Sequence, residues 1–288
     1  MNAGPKILVP GANGQLGKEL RDLAELFPQY EFVFLSREDM PIHHFELVSN
    51  FFDTVKPDYC INCAAYTAVD RAESEKEFAF EINGESVGVL AAICKKHDTK
   101  FIHISTDYVF NGKANYPYTE NFPTDPVNVY GASKLEGEKQ AIQLNENTII
   151  IRTSWVYSSY GKNFVRTMMR LMNEKNEISV VDDQVGSPTY AADLAQVIME
   201  IIQNKKWEPG ICHFSNEGVI NWYQFAEMIK KITMSNCIIH PIPTSAYPTP
   251  AKRPSYSVLD TSKIQKTYDV KLKDWKESLA ECIAKMQS

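Results

Sequence analysis

The opening stretch constrains the fold more than any other. Ile7-Leu8-Val9, between Lys6 and Pro10, is a short unbroken apolar run, the pattern of a strand buried on both faces of a parallel sheet. Gly11-Ala12-Asn13-Gly14-Gln15-Leu16-Gly17 follows, and then Leu20, Leu23, Ala24 and Phe27 at helical spacing, ending before Pro28. Strand, glycine turn and helix in this order suit a phosphate-bearing ligand. One glycine makes the tight turn, one lets the backbone approach a pyrophosphate, and one permits close packing of helix on strand. The phosphates then meet free N–H groups at the helix N-terminus. Gly11, Gly14, Gln15, Leu16 and Gly17 are therefore read as cofactor-binding.

The alternation continues. Phe32-Val33-Phe34-Leu35 predicts a second strand, and its end, Ser36-Arg37-Glu38-Asp39, is where a dinucleotide site selects its cofactor. Arg37 suits a 2′-phosphate and favours NADPH over NADH. Glu38 and Asp39 are close enough to reverse that choice or to pair with Arg37, and a solvated loop charge is an equal reading. A helix over Phe45–Val55 leads to the strand Tyr59–Cys63. Small residues beyond it, Ala64 and Ala65, then Tyr66, leave room for a ligand in the crevice of a doubly wound sheet. Asp70 reads either as a site residue or as a helix cap. A helical region runs on to about His97, and its Asn83 reads either as a cofactor contact or as a surface amide.

The strand Phe101–Ser105 delivers Thr106 and Asp107 to the same crevice, with His103 inside it as a core histidine. After a proline-rich loop comes Asn128-Val129-Tyr130-Gly131-Ala132-Ser133-Lys134. If this is helical, Tyr130 and Lys134 lie one turn apart on one face. A phenol can donate a proton to a carbonyl oxygen, and a nearby cation would lower its pKa toward neutrality. A hydroxyl at Thr106 would supply a second hydrogen bond to that oxygen.

A net charge of −6 with no clustered Lys and Arg argues against a nucleic-acid partner. No apolar run is long enough to span a bilayer and no signal-peptide layout leads the chain, so a cytoplasmic protein with no membrane partner is expected. The six cysteines are irregularly spaced and suit buried thiols in a reducing compartment. Cys60-Ile61-Asn62-Cys63 has redox spacing, but it sits in a strand, where positions i and i+3 face opposite ways.

Past Arg152 the strict alternation loosens. Helical stretches at about 162–173, 190–203 and 221–232 alternate with short apolar strands, and a proline-dense passage over 241–254 precedes two short helices. The expected fold is α/β: a Rossmann-type doubly wound parallel sheet with a smaller C-terminal substrate-binding region. Residues 1–154 would form the dinucleotide-binding domain and 155–288 mainly the second region, with some later elements returning to the first.

Taken together, the motifs resemble the extended short-chain dehydrogenase/reductase superfamily, and within it the dTDP-4-dehydrorhamnose reductase family. The narrower resemblance rests on Gly11-x-x-Gly14-Gln15-Leu16-Gly17, Ala64–Asp70, Ser105–Phe110, Asn128–Gly131 and Arg152–Tyr157. The later segments Asp183–Thr189 and Pro248–Pro254 also carry it. It implies NADPH or NADH reducing the C4 keto group of a dTDP-sugar. Tyr130, Lys134 and Thr106 would be catalytic, with Tyr130 and Lys134 also touching the cofactor. Thr106, Asp107, Trp155, Gln184 and Arg253 would contact substrate. Two departures stand out: Pro41 occupies a position where relatives often carry an acid, and Ala191-Ala192 precede Asp193 where more acids would be expected. The resemblance leaves a homodimer and a Mg2+ ion at its contact open, with Glu19 matching one ligand position, but these residues assign no metal. Two alternatives remain: an epimerase or dehydratase of the superfamily that returns hydride to its substrate, and a non-catalytic member similar to the regulatory subunit of methionine adenosyltransferase.

Overall fold

A computed structural model of the chain describes residues 4–287. Strand β1 (Lys6–Pro10) turns into helix α1 (Gln15–Ala24), followed by β2 (Glu31–Leu35), α2 (Phe45–Val55) and β3 (Tyr59–Asn62). The helical region expected to run to His97 is broken. It comprises α3 (Val69–Ala72), α4 (Lys76–Phe80), a π-helical turn at Glu81–Glu85 and α5 (Ser86–Lys96). Tertiary hydrogen bonds outweigh helical periodicity there, because the turn holds the fully buried Asn83. Its Oδ1 accepts from the Tyr66 N–H at 2.8 Å, and its Nδ2 donates to Tyr66 O and Ser133 Oγ, both at 3.0 Å. Asn83 is thus a clamp between the loop after β3 and the later helix bearing Ser133. Strand β4 (Lys100–Thr106), α6 (Val129–Leu144) and β5 (Ile149–Thr153) complete the first alternation.

The second half runs β6 (Val156–Tyr157), α7 (Phe164–Glu174), β7 (Glu177–Val181), β8 (Val185–Gly186), β9 (Thr189–Tyr190) and α8 (Ala191–Gln203). It continues with β10 (Gly210–His213), β11 (Ile220–Asn221), α9 (Trp222–Thr233), β12 (Ile238–Ile242), α10 (Ser262–Tyr268) and α11 (Trp275–Gln287).

The central sheet has six strands in the order β2-β1-β3-β4-β5-β10, every pair parallel. This is the doubly wound architecture expected. Both faces are covered, which is why its strands read as apolar runs rather than alternating ones. On one face Leu16 and Leu20 of α1, with Leu194, Ile198 and Ile201 of α8, pack on Ile7, Val9, Ile102 and Ile151. On the other, Val48, Phe52, Leu90 and Ala141 cover Leu8, Cys60, Phe101 and Ile150. Thus α8 and β10 belong to the sheet's core although they follow residue 154. A separate core unites Tyr157, Val165, Tyr190, Phe225, Ile229, Trp275 and Leu279. All six cysteines are free, and burial pushes the Cys63 thiol far above its ordinary range. No described helix is long and apolar enough to cross a membrane.

Candidate active site

Strand order reverses between β1 and β3, and in such sheets ligands bind beyond the carboxyl ends at that point. The glycines there divide their work as the sequence suggests. Gly11 has φ +80°, and a Cβ on it would lie 2.5 Å from Ala64 N; one on Gly17 would lie 2.6 Å from Gly11 O. Gly14 differs: an added Cβ would meet only Gly11 O, at 3.2 Å, so its outer side is open. Helix α1 begins there with no side-chain cap and no acid in its first turn. Its N–H groups and dipole therefore face the crevice free to meet an anion.

Gly11, Gly14, Arg37, Ala64, Ala65 and Tyr66 line a cavity of about 220 Å³ beside this helix end. Gln15 and Leu16 do not line it. Leu16 packs in the core, and Gln15 Oε1 accepts from Asn163 Nδ2 at 2.9 Å, so their backbones alone are available to a ligand. The floor is made by Met40, Ile42, His43, Phe78 and Ile82, none of which was singled out as a site residue. On either side of Pro41 the lining residues, Met40 and Ile42, are apolar.

The rivalry at the end of β2 is resolved by local bonding. Asp39 Oδ2 accepts from the Ser36 N–H at 2.8 Å, and these Ser36 bonds hold its carboxyl below the usual range. Arg37 instead lies over the Phe78 ring, 5.4 Å from its centroid, and no ion pair engages it among the described residues. A guanidinium so placed is available to a phosphate. Arg37→Ala is expected to raise the KM for NADPH by about ten- to a hundredfold, the loss of a charge-assisted hydrogen bond of ~1.5–3 kcal/mol, and to leave that for NADH unchanged. Initial rates with each cofactor check it; equal losses for both would remove Arg37 from 2′-phosphate recognition.

At the other end of the crevice, β4 delivers Thr106 and α6 presents Tyr130 in its first turn. Asn128 caps the helix, its Oδ1 accepting from the Gly131 N–H at 2.8 Å. Gly131 is required by contact, since a Cβ there would lie 2.1 Å from Tyr108 O. This close approach seats Tyr130 against the turn over Asp107–Val109, its ring edge-on to Tyr108 with centroids 5.7 Å apart.

Thr106 Oγ1 donates to Asp107 Oδ1 at 3.0 Å, while the buried Asp107 Oδ2 has no partner. Burial pushes the Asp107 carboxyl up to about 7. The Tyr130 phenol is pushed up to about 12 by burial and then by Asp107, with a Thr106 hydrogen bond working the other way. That corrects the expected lowering by a cation. Lys134 Nζ is turned to β4, donating to Ile104 O at 2.7 Å and lying 3.1 Å from His103 Nε2. Burial brings Lys134 down to about 8 despite the opposing charge of Glu138.

Asp107 sets a pH dependence. Between its ordinary 3.8 and about 7, the unfolded chain has released this proton and the folded chain has not. The stability it contributes is complete below the lower value and lost as pH rises through the upper. Asp107→Asn cannot ionise, so it should gain melting temperature relative to the parent above pH about 7 and show no such gain below pH 3.8. A pH-independent difference in thermal denaturation would contradict this.

Trp155, at φ +49°, stacks on Trp222 with centroids 3.6 Å apart and planes 11° from parallel. Gln184 accepts from Trp222 Nε1 at 3.2 Å and donates to Thr244 Oγ1 at 3.0 Å. Gln184, Trp222, Tyr247, Thr249 and Arg253 line a second cavity of about 480 Å³. Arg253 is bidentate to Asp70, at 2.9 and 3.0 Å, and Ala251 N–H also donates to Asp70 Oδ1. Asp70 is therefore not a helix cap but the anchor of the proline-dense passage. Glu19 is buried, accepting from Ser158 Oγ at 2.5 Å and from Lys285 Nζ at 2.7 Å. Among the described residues no group of three or more His, Cys, Asp and Glu is placed to hold a metal.

A doubly wound sheet with an open glycine turn, and a tyrosine, threonine and lysine around the adjoining strand end, define a dinucleotide-dependent oxidoreductase of the extended short-chain dehydrogenase/reductase type. Residues 5–288 match the family model described as RmlD substrate binding domain. A dTDP-4-dehydrorhamnose reductase of Burkholderia thailandensis is 40% identical, with 98% of this chain and 99% of that protein covered. The crystal structure of a dTDP-4-dehydrorhamnose reductase from Clostridium acetobutylicum superposes with TM-score 0.94 at 40% identity, covering 98% of this chain and 100% of that one. The enzyme of that name from Bacillus anthracis, solved in complex with NADP, gives TM-score 0.94 at 36% identity, covering 98% and 99%. The chain belongs to the dTDP-4-dehydrorhamnose reductase family.

Proposed function

We propose that the protein reduces the C4 keto group of dTDP-4-dehydro-L-rhamnose to the hydroxyl of dTDP-L-rhamnose, using NADPH or NADH. The observation that carries this reading is the meeting of Tyr130 and Thr106 at the carboxyl end of β4, beside a helix N-terminus left open for a phosphate. The cofactor fits the residues present. The uncapped start of α1 at Gly14 would hold the pyrophosphate, Arg37 the 2′-phosphate, and Ala64, Ala65 and Tyr66 the adjoining wall.

When bound, the reduced nicotinamide supplies the hydride. Tyr130 gives its proton to the carbonyl oxygen as it gains charge, and a phenol kept protonated by burial holds that proton until it is needed. Thr106 hydrogen-bonds the same oxygen. Lys134 would hold the nicotinamide ribose. Asp107, beside Thr106, would contact the substrate. Trp155 forms a wall against the sugar, while Gln184 and Arg253 line the cavity that receives the nucleotide diphosphate. The reaction is checked by reduced-nicotinamide absorbance with purified protein and dTDP-4-dehydro-L-rhamnose generated in place. Substrate-dependent loss of the band, with dTDP-L-rhamnose as product, is expected. Cofactor binding without consumption would overturn the reading.

A further inference from the structure

Asn62, His103 and Lys134 form a buried line from β3 through β4 to α6, each no more than 1% exposed. The chemistry above uses only the last of them. The polarity of the line is fixed from one end. The Ala64 N–H can only donate, so the atom facing it at 3.1 Å is Asn62 Oδ1, and Asn62 Nδ2 faces His103 Nδ1 at 3.1 Å. An amide nitrogen also only donates, so His103 Nδ1 holds the lone pair and the neutral ring carries its proton on Nε2. That proton points at Lys134 Nζ, 3.1 Å away. An ammonium has no lone pair to accept it; an amine has one and still donates to Ile104 O.

We propose that Asn62 and His103 favour the neutral amine of Lys134 in the free protein, so that cofactor binding is coupled to uptake of a proton at Lys134. This rests on the reading that Lys134 meets the bound cofactor. His103 is then a positioning residue that acts through Lys134. A second ring proton does not rescue the arrangement, because burial and Lys134 hold the imidazole far below its ordinary range. The groups facing Lys134 are His103 from β4 and, from its own helix, Glu138, with Tyr130 one turn earlier. Glu138 is itself matched by Arg152 of β5. That bidentate guanidinium shares the one nearby carboxylate, whose charge only partly offsets the burial of Lys134.

The test is calorimetry of NADPH binding to the full chain, in buffers of differing ionisation enthalpy, on either side of pH 8. The wild-type protein should take up close to one proton per NADPH above pH about 8 and almost none well below it, with Kd rising about tenfold per pH unit in the upper limb. His103→Phe removes the Nε2 donor. Asn62→Asp, nearly the same size, reverses the line: a carboxylate accepts from Ala64 and from His103 Nδ1, so Nε2 offers its lone pair to an ammonium. Both variants should lose the uptake just above pH 8 and keep Kd flat there. Absence of uptake in the wild type, or wild-type uptake in both variants, overturns the proposal. A merely structural histidine lowers melting temperature without moving the pH of uptake. Unchanged NADPH affinity in Lys134→Met would instead sink the cofactor contact itself, leaving Tyr130 and Thr106 as assigned.

Discussion

Tyr130→Phe is expected to lower kcat by roughly 10²–10⁴, the worth of a placed general acid, while NADPH affinity stays close to that of the parent. The substitution removes one oxygen and leaves the ring, which packs edge-on to Tyr108 and sits partly buried beside the second core. The helix start is set by Asn128 and Gly131 rather than by the phenol, so the fold should not notice. Thr106 is untouched and still held by the Tyr108 N–H, and its one hydroxyl proton can turn from Asp107 to the substrate oxygen, so one donor remains. A drop in kcat and kcat/KM together marks an interaction made in the transition state. Steady-state rates with calorimetric NADPH binding decide it, and near-normal turnover would remove Tyr130 from the mechanism.

Glu138→Leu should be the most damaging single change to stability. Glu138 and Arg152 are each 2% exposed at the side chain, joined at 2.7 Å, with Ser105 Oγ donating to Glu138 Oε1 at 2.5 Å. Removing the carboxylate strands a buried guanidinium and a serine hydroxyl. Such a loss costs about 3–5 kcal/mol, a fall in melting temperature on the order of 10 °C. Replacing both partners, Glu138→Leu with Arg152→Met, leaves no uncompensated charge and should recover most of it. Glu138 also opposes the lowering of Lys134, so the single variant should move the high-pH limb of NADPH binding to lower pH. Thermal denaturation of the three proteins separates the cases; a single variant as stable as the double would show that the pair carries no such burden.

The strands and most helices were legible because both sheet faces are covered, which leaves short apolar runs separated by glycine and proline. Phe45–Val55 matches the expected helix end for end. The glycine turn was legible because Gly11 and Gly17 answer steric demands that no other residue meets, while Gly14 leaves the helix start open. What misled was the assumption that periodicity continues: the expected long helix to His97 is interrupted at Asn83, whose partners Tyr66 and Ser133 are distant in sequence.

The sequence by itself determined the fold class, the phosphate turn and the residue types available for carbonyl reduction, since spacing, steric need and side-chain chemistry are local properties. Only the tertiary structure decided their states. It turned Lys134 to β4 instead of Tyr130, raised the phenol instead of lowering it, tied Asp39 to Ser36 and freed Arg37. It also joined Asp70 to Arg253 across the crevice. Protonation and partner choice depend on burial and on which groups lie a few ångströms away, and those distances are set by packing between segments that no local pattern relates.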